Sequence, residues 1–125
     1  MKKQTIIERI TRCAESLGWY VQTSRDKERD ITFFTFSQFT PKGQDFAFEV
    51  EMKGTDLSSL VQSMSNYYEG FDVDAEAYLW LDSNGHGKNG APYRMRDVLD
   101  DMEAGKRMVE QLFDAMEELK IKIEP

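Results

Sequence analysis

The chain has 125 residues, 40% of them hydrophobic and 31% charged, with a formal net charge of −7, which suits one domain burying roughly two-thirds of its unfolded surface around a single core. No apolar run approaches the roughly 20 residues of a membrane-spanning helix, which excludes an integral helical membrane protein. The lone Cys13 excludes an internal disulfide, and the negative balance disfavours general phosphate or nucleic-acid binding.

From Thr5 to Leu17 the apolar positions Ile6, Ile7, Ile10, Cys13, Ala14 and Leu17 recur at three and four, so they share one helical face that Gly18 terminates. Cys13 lies on or beside this stripe and reads as packing rather than as a nucleophile. Trp19 to Thr23 follows as a short strand, and the charged run Ser24 to Asp30 has the composition of an exposed hairpin loop. Ile31 to Phe39 carries apolar groups on both faces, as a central strand or one with a covered outer face does, and Pro41-Lys42-Gly43 marks the next turn. Phe46, Phe48, Val50 and Met52 then alternate with Ala47, Glu49 and Glu51, which places one side of this strand in a core and the other toward water or a partner. Short connections favour an antiparallel meander with the first helix across its apolar face.

Thr55 or Asp56 is ready to cap a helix whose apolar residues run from Leu57 to Phe71, with Gly70 at its end. Asp72-Val73-Asp74 supplies caps for a short helical segment through Leu81, although Tyr78 to Leu81 alone also fits a strand. After a glycine-rich loop, Met95, Val98, Met102, Gly105, Val109, Leu112, Met116 and Leu119 keep the three-four alternation. That seam permits one long helix, or a short and a longer one divided near Gly105.

The charge is uneven, net +1 over residues 1–54 and −8 over residues 55–125, so the second half offers a solvated acidic helix face or a surface for a basic partner. With no secretory apolar segment after Met1-Lys2-Lys3, the expected location is cytoplasmic.

Gly85-His86-Gly87-Lys88-Asn89-Gly90 matches a dinucleotide-binding glycine pattern letter for letter, but Pro92 and a helix follow where that motif needs a helix starting within it; it reads as a turn-rich loop. Asp82, Asn84, His86 and Gly87 half-match a calcium loop, whose final bidentate glutamate is here Tyr93. No cofactor and no metal site is expected. His86 is the only imidazole, so acid-base chemistry would use it with Asp82 or Asp97. The α-β-β-β-α order invites comparison with double-stranded RNA-binding domains, but their basic cluster is replaced by Gly54-Thr55-Asp56-Leu57-Ser58.

The stretch Tyr67 to Asp74, continuing through Tyr78-Leu79-Trp80-Leu81 and Gly90-Ala91-Pro92-Tyr93 to Arg96-Asp97-Val98 and Asp101-Met102-Glu103-Ala104, resembles a pattern of small uncharacterised proteins of bacteria, phages and mobile elements. The likeness covers the C-terminal half and implies no activity. The first half is loosely similar in element order to secretion-chaperone-like domains.

The reading is therefore a single α+β domain over residues 1–125: an N-terminal helix, a three-stranded antiparallel meander, then two to four helices on one sheet face. The expected function is a non-enzymatic protein-binding or adaptor module whose surface uses Tyr68, Phe71, Trp80, His86, Lys88 and Tyr93. A small hydrolase or nucleic-acid-processing enzyme centred on His86 is the alternative, and an acidic nucleic-acid mimic a further one.

Overall fold

The computed structural model describes residues 5–123; the expectation drawn from Met1-Lys2-Lys3 lies outside them. Helix α1 (Ile6–Ser16) begins where Thr5 Oγ1 accepts the Glu8 N–H at 3.1 Å. It ends at Gly18, whose φ of +90° lets the Trp19 N–H turn back to the Ala14 carbonyl at 3.1 Å. Strands β1 (Tyr20–Asp26), β2 (Ile31–Phe39) and β3 (Asp45–Lys53) form one antiparallel sheet in the order β1-β2-β3, with β2 central, the first of the two placements its two-sided apolar pattern allows.

The first hairpin differs from its sequence reading. Trp19 precedes the strand and is buried among the rings of Phe36, Phe46 and Phe48, while pairing continues through Arg25↔Thr32 and Asp26↔Ile31. Charged composition argued for a loop here, but those charges staple the turn: Asp26 Oδ1 accepts from the Glu28 and Arg29 N–H groups, and Arg25 pairs with Asp30 at 2.5 Å. Local side-chain bonds thus extend the ladder past the point where composition predicts its end.

Helix α2 (Leu57–Glu69) is capped by Asp56, which accepts the Ser58 N–H at 3.0 Å, and lies along β3. Helix α3 (Val73–Tyr78) is capped by Asp72 and stops earlier than Leu81, because the Trp80 and Leu81 N–H groups reach back only three residues and the chain then enters the glycine loop. Helix α4 (Met95–Ile123) is one uninterrupted rod of 29 residues, about 43 Å long, touching α1, α2 and α3.

The helices cover the sheet face that carries Phe34, Phe36, Phe46, Phe48, Val50 and Met52, and Ile10, Leu60, Met64, Leu112 and Met116 complete the main core. A smaller cluster of Ala77, Val98 and Met102, joined by Trp80 and Leu81, packs at the other end of α4. Cys13 sits beside the main core with its thiol pushed up by burial, as a packing cysteine.

Gly105 does not divide α4; it lets the helix lie against the Phe46 ring. A Cβ built there meets that ring at 3.4 Å, an ordinary contact. Gly105→Ala is therefore expected to stabilise the protein by about 0.5–1 kcal/mol through helix propensity. A higher urea midpoint with unchanged m-value is the measurement; a lower one would show that the approach tolerates no methyl group.

Candidate functional site

The glycine loop is a closed, self-bonded structure. Asp82 Oδ1 accepts from the Asn84 and His86 N–H groups at 2.8 and 3.0 Å, and the Asp82 N–H donates to the His86 carbonyl at 2.8 Å. These backbone donors hold the Asp82 carboxyl below the usual carboxylate range. The Gly87 N–H donates to the Tyr93 carbonyl and the Lys88 N–H to the Trp80 carbonyl. A Cβ at Gly87 would lie 1.7 Å from the Pro92 carbonyl oxygen, so only glycine permits the two arms to cross this closely. The N–H groups of Asp82, Asn84, Gly85, His86, Gly87, Lys88 and Ala91 all donate within this segment.

Four of the six expected surface residues are brought together by this loop. His86 and Tyr93 stack at 4.2 Å between ring centroids, Trp80 is tied to Lys88 through the backbone, and Tyr93 and Lys88 are exposed. The other two lie elsewhere. Phe71 is buried in the main core against Phe46 and Tyr67 and is not a surface group; the helical spacing that made it visible was that of core packing. Tyr68 belongs to the seam between α2 and α4, where its hydroxyl donates to Glu110 at 2.8 Å and Lys106 Nζ stands 5.2 Å from its ring centroid.

The carboxylates that would orient His86 are otherwise engaged. Asp82 is held by backbone N–H groups, and Asp97 accepts from Lys42 Nζ at 3.2 Å. Among the described residues, no three His, Cys, Asp or Glu side chains converge as a metal-binding group, and no helix is long and apolar enough to cross a membrane.

Between the loop, α3 and the start of β3 lies a cleft of about 500 Å³ lined by Asp45, Phe46, Ala47, Glu76, Leu79, Trp80 and Asn89. It is apolar along Phe46, Leu79 and Trp80 and acidic at Asp45 and Glu76. Asp45 also borders a second open cleft of about 480 Å³ on the uncovered sheet face, beside the exposed rings of Tyr20 and Phe39. Asp45, Ala47, Glu76, Leu79 and Asn89 are not among the six surface residues expected from the sequence; the outward alternation of Ala47 and Glu49 is visible there, but not that α3 stands beside that edge.

The turn that leads into β3 is fixed by a polar lock. Asp101 on α4 is buried and accepts from Thr40 Oγ1 and, at 3.0 Å, from the Lys42 N–H; Thr40 Oγ1 in turn accepts the Gln44 N–H at 2.9 Å. One turn earlier on α4, Asp97 holds the Lys42 side chain. The β2–β3 turn is thereby clamped to α4, and Asp45 follows it directly into β3.

Glu76 is half-buried, no hydrogen bond or ion pair reaches its carboxylate among the described residues, and burial pushes its carboxyl above the ordinary range. The same charge, after desolvation, helps to push the Tyr67 phenol upward. A folded-state pKa above the unfolded one means that Glu76 lowers stability as pH rises through the folded value. Glu76→Gln is accordingly expected to raise stability at pH 7, by up to about 0.5 kcal/mol, and to change nothing near pH 4. Urea midpoints of both proteins at the two pH values test this; an equal gain at both would assign the effect to packing.

No family model, no curated protein and no solved structure matches the chain.

Proposed function

We propose that this chain is a protein-binding module that engages its partner through the cleft between α3, the glycine loop and the start of β3. The supporting observation is the cleft's composition: an apolar wall of Leu79 and Trp80 faces a strand edge, within a volume that suits a few side chains. Leu79 and the neighbouring Tyr78 are 67% and 77% exposed, so this apolar surface is displayed rather than consumed by the fold. An aromatic anchor beside a rigid, self-bonded loop is a favourable starting point for association, because little conformational freedom is lost when a partner docks.

The test is affinity capture from the native cell extract with wild type, Leu79→Glu and Trp80→Ala in parallel. Leu79 is peripheral, so its variant probes the surface without opening the Ala77–Val98–Met102 cluster. A partner retained by wild type and lost by both variants is the expected result. The same captured proteins with all three baits, or none with any, would reject the reading.

A further inference from the structure

The edge of β3 is covered along only half its length, and the exposed half faces the cleft. Toward the end of the strand, the N–H groups of Glu51 and Lys53 point away from β2 and donate to Ser63 Oγ and Ser59 Oγ of α2, at 3.2 and 2.8 Å. The β2–β3 register runs unbroken from Asp45 to Lys53, so the alternation of a strand carries the same orientation back to Glu49, Ala47 and Asp45. Each of these residues sends its N–H and C=O outward, and among the described residues no hydrogen bond meets them. All three are exposed, and two of them line the cleft.

We propose that this open half-edge, Asp45–Glu49, receives an extended segment of the partner as a fourth strand, and that the segment alternates basic with apolar side chains. The proposal rests on the protein-binding reading above and specifies its chemistry. Unpaired edge groups are a template for main-chain pairing, and the side chains flanking them decide what pairs. On the uncovered sheet face the edge presents Asp45, Glu49 and Glu51, so every second residue of an added strand lies beside carboxylates and is best basic. The residues between point to the side of Phe46 and the wall of Leu79 and Trp80, where apolar groups fit and Glu76 can meet one further cation. A second copy of this chain fits poorly, because pairing β3 with β3 would set these carboxylates against one another.

The experiment uses three fluorescein-labelled nonapeptides: one alternating lysine and valine, one alternating glutamate and valine, and the lysine peptide N-methylated at its lysine residues, whose amides face β3 in antiparallel pairing when their side chains lie beside Asp45 and Glu49. The lysine peptide is expected to bind the full chain at least ten-fold more tightly than either of the others. Ala47→Pro, which deletes an outward N–H, should weaken it at least ten-fold, and Glu49→Lys should reverse the preference between lysine and glutamate peptides. In the bound protein, the amides of Ala47 and Glu49 should become protected from hydrogen exchange. N-methylation leaves the protein untouched, so equal binding of the methylated and parent peptides overturns strand addition even if Ala47→Pro fails to fold. Equal binding of lysine and glutamate peptides overturns the basic pattern. A dimer in light scattering that Ala47→Pro dissolves would make the occupant a second copy and overturn the partner proposed here. A captured partner that depends on Leu79 and Trp80 but is not displaced by the lysine peptide leaves the binding module standing and removes the added strand. Absence of both capture and peptide binding removes both.

Discussion

Phe36→Ala is expected to destabilise the protein by about 3–5 kcal/mol, a large share of the 5–15 kcal/mol that separates typical folded and unfolded domains. Phe36 is fully buried on the central strand, with ring centroids 5.5 Å from Phe48, 5.9 Å from Phe34 and 6.4 Å from Trp19. Truncation removes its transfer free energy and leaves a cavity among rings whose positions are set by one another, so the site cannot collapse around an alanine. For a chain of this length the corresponding fall in melting temperature is about 10–20 °C. Phe39→Ala is the control, because Phe39 is the same residue type on the same strand but 70% exposed, and its loss should stay within about 0.5 kcal/mol. Similar melting temperatures for the two variants would mean that the sheet face holding Phe36 is not the core.

Asp101→Ala is expected to cost about 2–4 kcal/mol, which is unusual for an aspartate on the polar side of a sequence pattern. The carboxylate is buried and accepts from the Thr40 hydroxyl and the Lys42 N–H, so its removal strands two donors in a place that water does not reach freely. Asp101→Asn should cost less than half as much, since its carbonyl oxygen still accepts one donor. Because the lock fixes the turn that leads into Asp45, the alanine variant should also weaken the lysine peptide beyond what its stability loss explains, at a temperature where both proteins are folded. Equal stability of the alanine and asparagine variants would show that the charge and the paired acceptors act as a unit, so that one retained acceptor restores nothing.

Much of the architecture is legible in the residue pattern. The alternation of Phe46, Phe48, Val50 and Met52 against Ala47, Glu49 and Glu51 gives the buried and open faces of β3 correctly, and the three-four spacing from Met95 to Leu119 runs through α4 without a break. Two local features were hidden for physical reasons. Arg25 and Asp26 look like loop residues until their partners Asp30 and Arg29 are seen to close the turn. Asp101 looks in the sequence like any other helix acid, because its donors come from a turn some 60 residues earlier in the chain. The candidate site was half legible: glycine spacing marks the loop that unites Trp80, His86, Lys88 and Tyr93. The strand edge opposite, however, becomes a cleft wall only through the tertiary placement of α3.

Because α4 carries the main core on one stretch and the smaller Ala77–Val98–Met102 cluster on another, the two ends of the molecule are expected to open with unequal ease. The self-bonded loop and α3 are then expected to leave α4 together, as one unit, in a partial unfolding event that keeps the sheet intact. Amides of Ala77 to Lys88 should then exchange with solvent well before those of Phe34 and Phe36, and a ligand seated beside Trp80 should slow the former and leave the latter unchanged.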